Sequence, residues 1–495
     1  MKISFKNIDL SKKELLIIFF SAFIGITLFS KSSFFYPLND WCDANCFLTV
    51  GKSLVAGKVL YRDIYEQKGP MLYFFHSICS LISRTSFFGV YLLEVLCAFL
   101  FLLFSYKTVK LFITENNNKF IKAIYFMPIL SLIIYSQSAF CHGDSCEELS
   151  LPFLAYTIYI GFKHIIGKNP PTKKESVLVG VCASIVFWMK FTLVGLFVPW
   201  FIGLAIMLIR KKEYKELTKL ASNVVFGLFL GSLPVLIYFM ITNSFSYLWE
   251  AYFYNNLFLY SGIENPESKF AILSHIKKGF INTFRTYYSL IIPSLITLAY
   301  LLLKNKKLCA YLFFMILFAG TFAFVGRDQY VYYNFIYAVF IPLVAIPFLE
   351  CNFKLKSESK KILYTSVFSI LMVYCFAKCG NTSMFLEKKE NLPQYKFKEI
   401  ICKEENPTLL NYSFLDFGFF TTCDIVPSNR FFCKLNFTWD VMKNDLNNAV
   451  KNKLTTFVVT RGSELKNDNY ELVATEKYPY EGKERTYRLY KVKGE

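Results

Sequence analysis

Apolar residues in this chain run in long blocks, not in the alternating or every-third-and-fourth patterns of soluble strands and helices. A helix that crosses a bilayer needs about 20 mostly apolar residues, with roughly 17 as the floor. Blocks of that kind fall at 15–36, 88–106, 120–140, 149–167, 176–189, 191–209, 218–242, 281–303, 308–325, 335–350 and 361–378. They predict about eleven transmembrane helices. Block 176–189 is short and is divided from the next only by Lys190. One more apolar block, 70–83, has about 14 residues and falls below the floor.

Charge decides how block 70–83 is read. If it does not cross, the loops 107–122, 163–174, 210–219, 304–307 and 354–361 share one side of the membrane and hold twenty Lys and Arg. The other side (37–69, 141–148, 190, 243–280 and 326–334) is longer in total and holds nine. Cytoplasmic loops carry the excess of Lys and Arg, so the richer side is inside. A crossing by 70–83 would invert that asymmetry for every later loop. The block is therefore read as interfacial or re-entrant on the outer side.

This topology places the N-terminus in the cytoplasm and the segment 379–495 outside. The N-terminal MKISFKNIDLSKK is basic and leads into an apolar run from Leu15 with no small-residue cleavage site. It reads as an uncleaved first helix. The fold class expected is an all-α polytopic membrane domain over 1–378, its first outside loop at 37–69. A small extracytoplasmic α/β domain follows over 379–495. In that domain TLLNYSF, TTFVVTRG, NYELVATEKYPY and RTYRLYKV read as strands, DFGFFTTC as a helical turn and MKNDLNNAVKN as a helix.

Composition agrees. Of 495 residues 54% are hydrophobic and only 18% charged, against about a quarter charged in soluble domains. The formal charge of +19 does not indicate nucleic acid, because the cations sit in short loops between apolar blocks. That distribution suits anionic inner-leaflet lipid instead. The expected location is a bacterial inner (plasma) membrane. The fourteen cysteines form no CxxC and no Cys/His ligand spacing. Cys42, Cys46, Cys141 and Cys146 fall in outside loops, where oxidation is possible but pairing is unreadable.

Polar chemistry collects in three outside loops. In the first, Asp40 and Asp43 precede a stretch with helical spacing, 44–56, that ends at Gly57. Asp43 could be the N-cap of that helix. Tyr61-Arg62-Asp63 and Glu66-Gln67-Lys68-Gly69-Pro70 follow. The second loop is Cys141-His142-Gly143-Asp144-Ser145-Cys146-Glu147-Glu148. Its His and carboxylates could hold a divalent cation, or form a solvated acidic turn complementing a helix N-terminus. The third holds Arg327, Asp328, Tyr330, Tyr332 and Tyr333, suited to a phosphate and a sugar or to an interfacial aromatic belt. Glu94, inside an apolar block, is read as an inward-facing residue paired to a polar neighbour.

The order and sidedness of these pieces resemble the GT-C glycosyltransferases, nearest to glycosyltransferase family 39 and its kin, the protein O-mannosyltransferases and the lipid A aminoarabinose transferases. The matching pieces are Asp43-Ala44, Gly57, Lys68-Gly69-Pro70-Met71-Leu72-Tyr73-Phe74, and Asp144 shortly before Leu151-Pro152-Phe153-Leu154. They lie within about 37–210. The resemblance implies an inverting transferase that takes its sugar from a polyprenyl-phosphate donor. It also implies a first-loop Asp as base, a second-loop Asp in the same site and basic residues on the donor phosphate. Relatives often carry Asp-Glu where this chain has Asp43-Ala44, so Asp40 and Asp43 both stand as candidate bases. Lys68, Arg327 and Arg62 are the candidates for the phosphate, Asp144 for orienting the reactants, and His142, Glu147 and Tyr333 for the sugar or acceptor. The acceptor implied is a lipid, glycan or protein. Two readings of other kinds stand beside this one: a flippase or transporter of lipid-linked glycans, which would place charge at mid-membrane, and a polysaccharide polymerase or ligase.

Overall fold

The structure, a computed structural model, describes residues 10–113, 117–260, 271–326, 329–349, 357–480 and 482–494. It divides into two compact units. One comprises Met1–Ser30, Leu93–Val235 and Lys269–Ser383; the other Lys31–Leu92, Leu236–Ser268 and Met384–Glu495.

The first nine helices are α1 (Lys12–Phe29), α2 (Cys42–Val55), α3 (Pro70–Ile82), α4 (Phe88–Lys110), α5 (Asn117–Tyr135), α6 (Cys146–Gly167), α7 (Lys173–Met189), α8 (Phe197–Arg210) and α9 (Tyr214–Ile241). A capping box starts α1: Ser11 Oγ accepts from the Glu14 amide while the Glu14 carboxylate accepts from the Ser11 amide. The apolar block that begins α1 was expected to run to 36, but the helix stops at Phe29. The polar run Ser30-Lys31-Ser32-Ser33 that follows turns inward and is buried. Its groups find side-chain partners that a continued helix would not reach, Glu94 for Ser30 and Asp40 for Lys31. Block 70–83 forms α3, which Pro70 opens at its first position. Its 13 residues span about 20 Å, short of the roughly 30 Å hydrocarbon core.

Among the described residues seven helices are long and apolar enough to cross a membrane, or eight if one bent pair counts as a single span. The expected count of eleven is thus not confirmed. Two of the predicted spans fall short by different routes: in α1 the 18 residues include Lys12, Lys13 and Glu14, and α7 has 17 residues. In α5 the described side chains form an apolar stretch over Ala123–Tyr135. Block 281–303, read as one span, is two helices, Ala271–Thr286 and Tyr288–Lys304, bent by 91°. The first of them starts ten residues early, because AILSHIKKGF is amphipathic and a search for uniform apolarity passes over it.

The C-terminal expectations hold element by element. The strands are β1 (Leu409–Asn411), β2 (Phe457–Arg461), β3 (Tyr470–Tyr480) and β4 (Lys483–Val492). They form one sheet in the order β1-β2-β4-β3, β1 parallel to β2 and the other pairs antiparallel. The predicted helices appear at Phe419–Thr422 and Asp440–Lys451. Residues 384–495 share a unit with α2 and α3, and a buried polar network joins them. Thr49 Oγ1 donates to Asp416 Oδ2 at 2.7 Å. Asp416 Oδ1 accepts from Asn411 Nδ2 and the Gly418 amide at 3.1 and 3.0 Å. Lys52 Nζ donates to the Phe420 carbonyl at 2.9 Å and lies 3.4 Å from Asp424, which Arg84 pairs at 3.0 Å.

Lys52 is fully buried, and burial pushes its pKa down from 10.5 to about 8 against the opposing pull of Asp424. At a pH between those two values the folded protein has given up a proton that the unfolded chain still holds. Stability contributed by this site therefore rises as pH increases through that window. Relative to Lys52→Met, the wild type should gain up to about 3 kcal/mol between pH 7.5 and pH 10.5. Thermal unfolding in detergent at both pH values checks this, and a constant difference between the two proteins would contradict a buried ammonium.

Candidate functional site

In the second unit the first loop builds its site around the start of α2. The N-cap position is Trp41, and Asp43 lies inside the first helical turn, so Asp43 is not the cap. Its carboxylate instead stands where the positive end of the helix dipole favours an anion. The chain returns to it through a tight turn. Tyr61 takes a left-handed backbone (φ 64°), and its hydroxyl donates to the Lys68 carbonyl at 2.5 Å. The Lys68 amide donates to Glu66 Oε2 at 2.9 Å and to the Tyr73 hydroxyl at 3.0 Å, and Tyr73 also bonds Glu66. Burial pushes the Tyr61 and Tyr73 phenols well up from their ordinary pKa, so both remain neutral donors.

With its backbone held at both ends, Lys68 puts its Nζ 3.8 Å from Asp43 Oδ2 and 5.8 Å from the centre of the Phe47 ring. The two side chains are 13% and 17% exposed. At 3.8 Å the pair is held by charge and not by a hydrogen bond.

The other first-loop candidates have different surroundings. Asp40 forms a 2.7 Å ion pair with Lys31, each side chain only 7% exposed. Arg62 and Asp63, adjacent in sequence, pair with each other through two contacts of 2.8 and 3.0 Å at the surface. Lys31 has no motif around it, and its pairing with Asp40 could not have been read from the chain.

In the first unit the turn before α6 is wound by two consecutive left-handed residues, Gly143 (φ 91°) and Asp144 (φ 65°). The Asp144 amide donates to Glu94 Oε1 at 2.9 Å and to Glu148 Oε2 at 2.8 Å. Ser30 Oγ donates to Glu94 at 2.9 Å, and Ser145 Oγ accepts from the Glu148 amide as the cap of α6. Glu94, Asp144 and Glu148 are all buried. Glu94 is thus the paired, inward-facing residue expected of it. A Cβ on Gly143 would strike Glu94 Oε1 and Ser30 Oγ as well as strain the backbone. Gly143→Ala should cost roughly 1–3 kcal/mol, seen as a lower melting temperature in detergent. An unchanged melt would show that the turn is soft.

The same turn reaches the tyrosines of the third loop through one lysine. Lys190 Nζ binds Glu147 Oε1 at 2.6 Å and sits 3.5 Å from the centre of the Tyr333 ring and 5.4 Å from that of Tyr332. Tyr330, Tyr332 and Tyr333 pack on one another with centroids 5.0 to 5.7 Å apart. Lys190 looked in the sequence like a break between two apolar blocks; it is the residue that assembles these loops. His142 is half-buried, its Nδ1 3.1 Å from Cys141 Sγ. Among the described residues no three His, Cys, Asp or Glu side chains are grouped so as to hold a metal ion. Arg327 and Asp328 lie outside the described residues.

No family model matches the chain, and no curated protein does. A solved structure does: ArnT from Cupriavidus metallidurans bound to undecaprenyl phosphate, at 11% identity and a TM-score of 0.54, covering 97% of this chain and 98% of that one. The chain has the GT-C fold. With seven or eight apolar helices of spanning length among the described residues and the GT-C fold along almost its whole length, it is an integral membrane protein. The likeness covers 97% of the chain, so it is not confined to 37–210, where the sequence resemblance lies.

Proposed function

We propose that this protein is a membrane glycosyltransferase that takes its sugar from a polyprenyl-phosphate donor at the outer face of the membrane. The observation that carries the reading is the Asp43–Lys68 pair, a shielded carboxylate and ammonium 3.8 Å apart at the start of α2. The GT-C fold supports it, as does the undecaprenyl phosphate in the ArnT structure. A carboxylate beside a cation is what displacement from a phosphate ester requires. Asp43 takes the proton of an acceptor hydroxyl or amine as that atom bonds to the anomeric carbon. The bond from that carbon to the phosphate oxygen breaks, and its electron pair leaves with the carrier phosphate, whose growing charge Lys68 stabilises. A single displacement inverts the anomeric centre.

The family resemblance also makes Asp144 a candidate for orienting the reactants, and His142, Glu147 and Tyr333 candidates for the sugar or acceptor. Glu147 Oε2 is buried without a hydrogen-bond partner among the described residues, and its other oxygen is held by Lys190. Arg327 and Arg62 are secondary candidates for the phosphate, and Arg62 would first have to leave Asp63. Mass spectrometry of envelope glycans from cells with and without the protein tests the reading and identifies the acceptor. The proposal predicts that one glycan, lipid or protein loses a sugar while the lipid-linked donor accumulates. Unchanged glycans and donor pools would overturn it.

The orientation proposed with it puts the loops after α6 and α8 inside and residues 379–495 outside. Single cysteines at the exposed positions Lys173 and Ser463, in a background cleared of reactive native thiols, test this. An impermeant maleimide should label Ser463→Cys in intact cells and leave Lys173→Cys unlabelled; the opposite pattern would invert the topology.

A further inference from the structure

The two faces of α2 do different things. Asn45, Thr49 and Lys52 recur at helical spacing along one face, and all three are fully buried. Asp43, Phe47 and Gly51 recur along another. Phe47 packs on Tyr73 and His76 of α3 at 6.5 and 5.6 Å between ring centroids. Gly51 lies so close to α3 that a Cβ would meet the His76 and Ser77 backbone. The first face is tied to the C-terminal segment through Thr49–Asp416 and Lys52–Phe420, while Asn45 donates to the Asn39 and Trp41 carbonyls.

Burying Lys52 and Asp416 is expensive, and apolar residues of similar size would pack a sheet against a helix at lower cost. What the charged network adds is direction. Each bond fixes how far α2 is turned about its axis, and with it where the Asp43 carboxylate stands. A carboxylate about 6 Å from the axis moves roughly 2 Å when the helix turns by about 20°. Misplacement of about 1 Å can cost a reaction about a hundred-fold.

We infer that Asp416 and Lys52 are positioning residues for transfer: the C-terminal segment latches α2 in the rotation that sets Asp43 against Lys68. The inference rests on the proposed role of Asp43. Asp416→Leu in the purified full chain should lower kcat about ten-fold or more with an undecaprenyl-phosphate-linked sugar as donor. The donor KM should stay within about two-fold, since Lys68 is held by its own turn. Asp416→Asn, which keeps the acceptor oxygen and the shape, should recover most of the rate. Combining Asp43→Asn with Asp416→Leu should be no slower than Asp43→Asn alone, because the latch acts through that carboxylate. Val458→Ala, a core change in β2 that lowers stability without touching the latch, should leave kcat per folded molecule unchanged.

A second measurement needs no turnover. Asp43→Cys should react with maleimide at a rate altered severalfold by Asp416→Leu and unaltered by Val458→Ala. An unaltered rate with Asp416→Leu, or a loss in kcat additive to that of Asp43→Asn, overturns the latch. Normal turnover by Asp43→Asn alone overturns the role proposed for Asp43 instead, and leaves the reactivity test of the latch standing.

Discussion

Asp43→Asn should abolish transfer, by about a hundred-fold or more, while expression and melting temperature stay as in the wild type. The variant keeps the size of the side chain and a polar group in the first turn of α2, and removes only the basic oxygen. Trp41, not Asp43, is the cap of α2, so the variant leaves the cap itself in place. Asp40→Asn separates the two first-loop candidates. It breaks a buried pair with Lys31 and leaves that ammonium uncompensated, a loss of about 3–5 kcal/mol. Its defect should therefore appear as poor folding, with near-normal turnover in whatever protein folds. Turnover per folded molecule, measured on both variants, decides between them. A dead Asp40→Asn beside an active Asp43→Asn would move the base three residues upstream, and two active variants would remove the mechanism from this loop.

Lys68→Ala should weaken use of the lipid-phosphate donor by roughly ten- to over a hundred-fold, the equivalent of about 1.5–3 kcal/mol for one charge-assisted phosphate contact. The backbone of Lys68 is fixed by Tyr61, Glu66 and Tyr73, so truncating the side chain leaves the turn intact. Titrating undecaprenyl phosphate against wild type and variant measures the loss without any need for the acceptor. Unchanged affinity would reduce Lys68 to an anchor that steadies Asp43.

The membrane character of this chain, its apolar blocks and the secondary structure of its last hundred residues are local properties, and they were legible. Periodicity and block length report on consecutive residues, so the strands at 457–461, 470–480 and 483–492 and the helix before Gly57 could be placed within a residue or two. The same local rule failed where partners lie far away in sequence. A block that looked continuous to 36 ended at Phe29 because Ser30 and Lys31 had partners to reach. The block at 281–303 hid a 91° bend that no composition window records.

Which carboxylate meets which cation was decided only by the tertiary structure. The sequence offered Asp40, Asp43, Asp63 and Glu66 within one loop, all plausible as acids or bases. Folding distributed them: Asp40 to Lys31, Asp63 to Arg62, Glu66 to the Tyr73 hydroxyl, and Asp43 to Lys68. Charge interactions fall off within several ångströms, whereas sequence proximity leaves side chains free to point anywhere. The same reason hid Lys190, which needed Glu147 from α6 and Tyr333, 143 residues further along the chain, to become a junction. It hid the C-terminal latch as well, since Thr49 and Asp416 are 367 residues apart along the chain and 2.7 Å apart in the fold. By itself the sequence determined the solvent each segment prefers and the period in which it winds, because both follow from neighbouring residues; the chemistry of the site waited on contacts between distant ones.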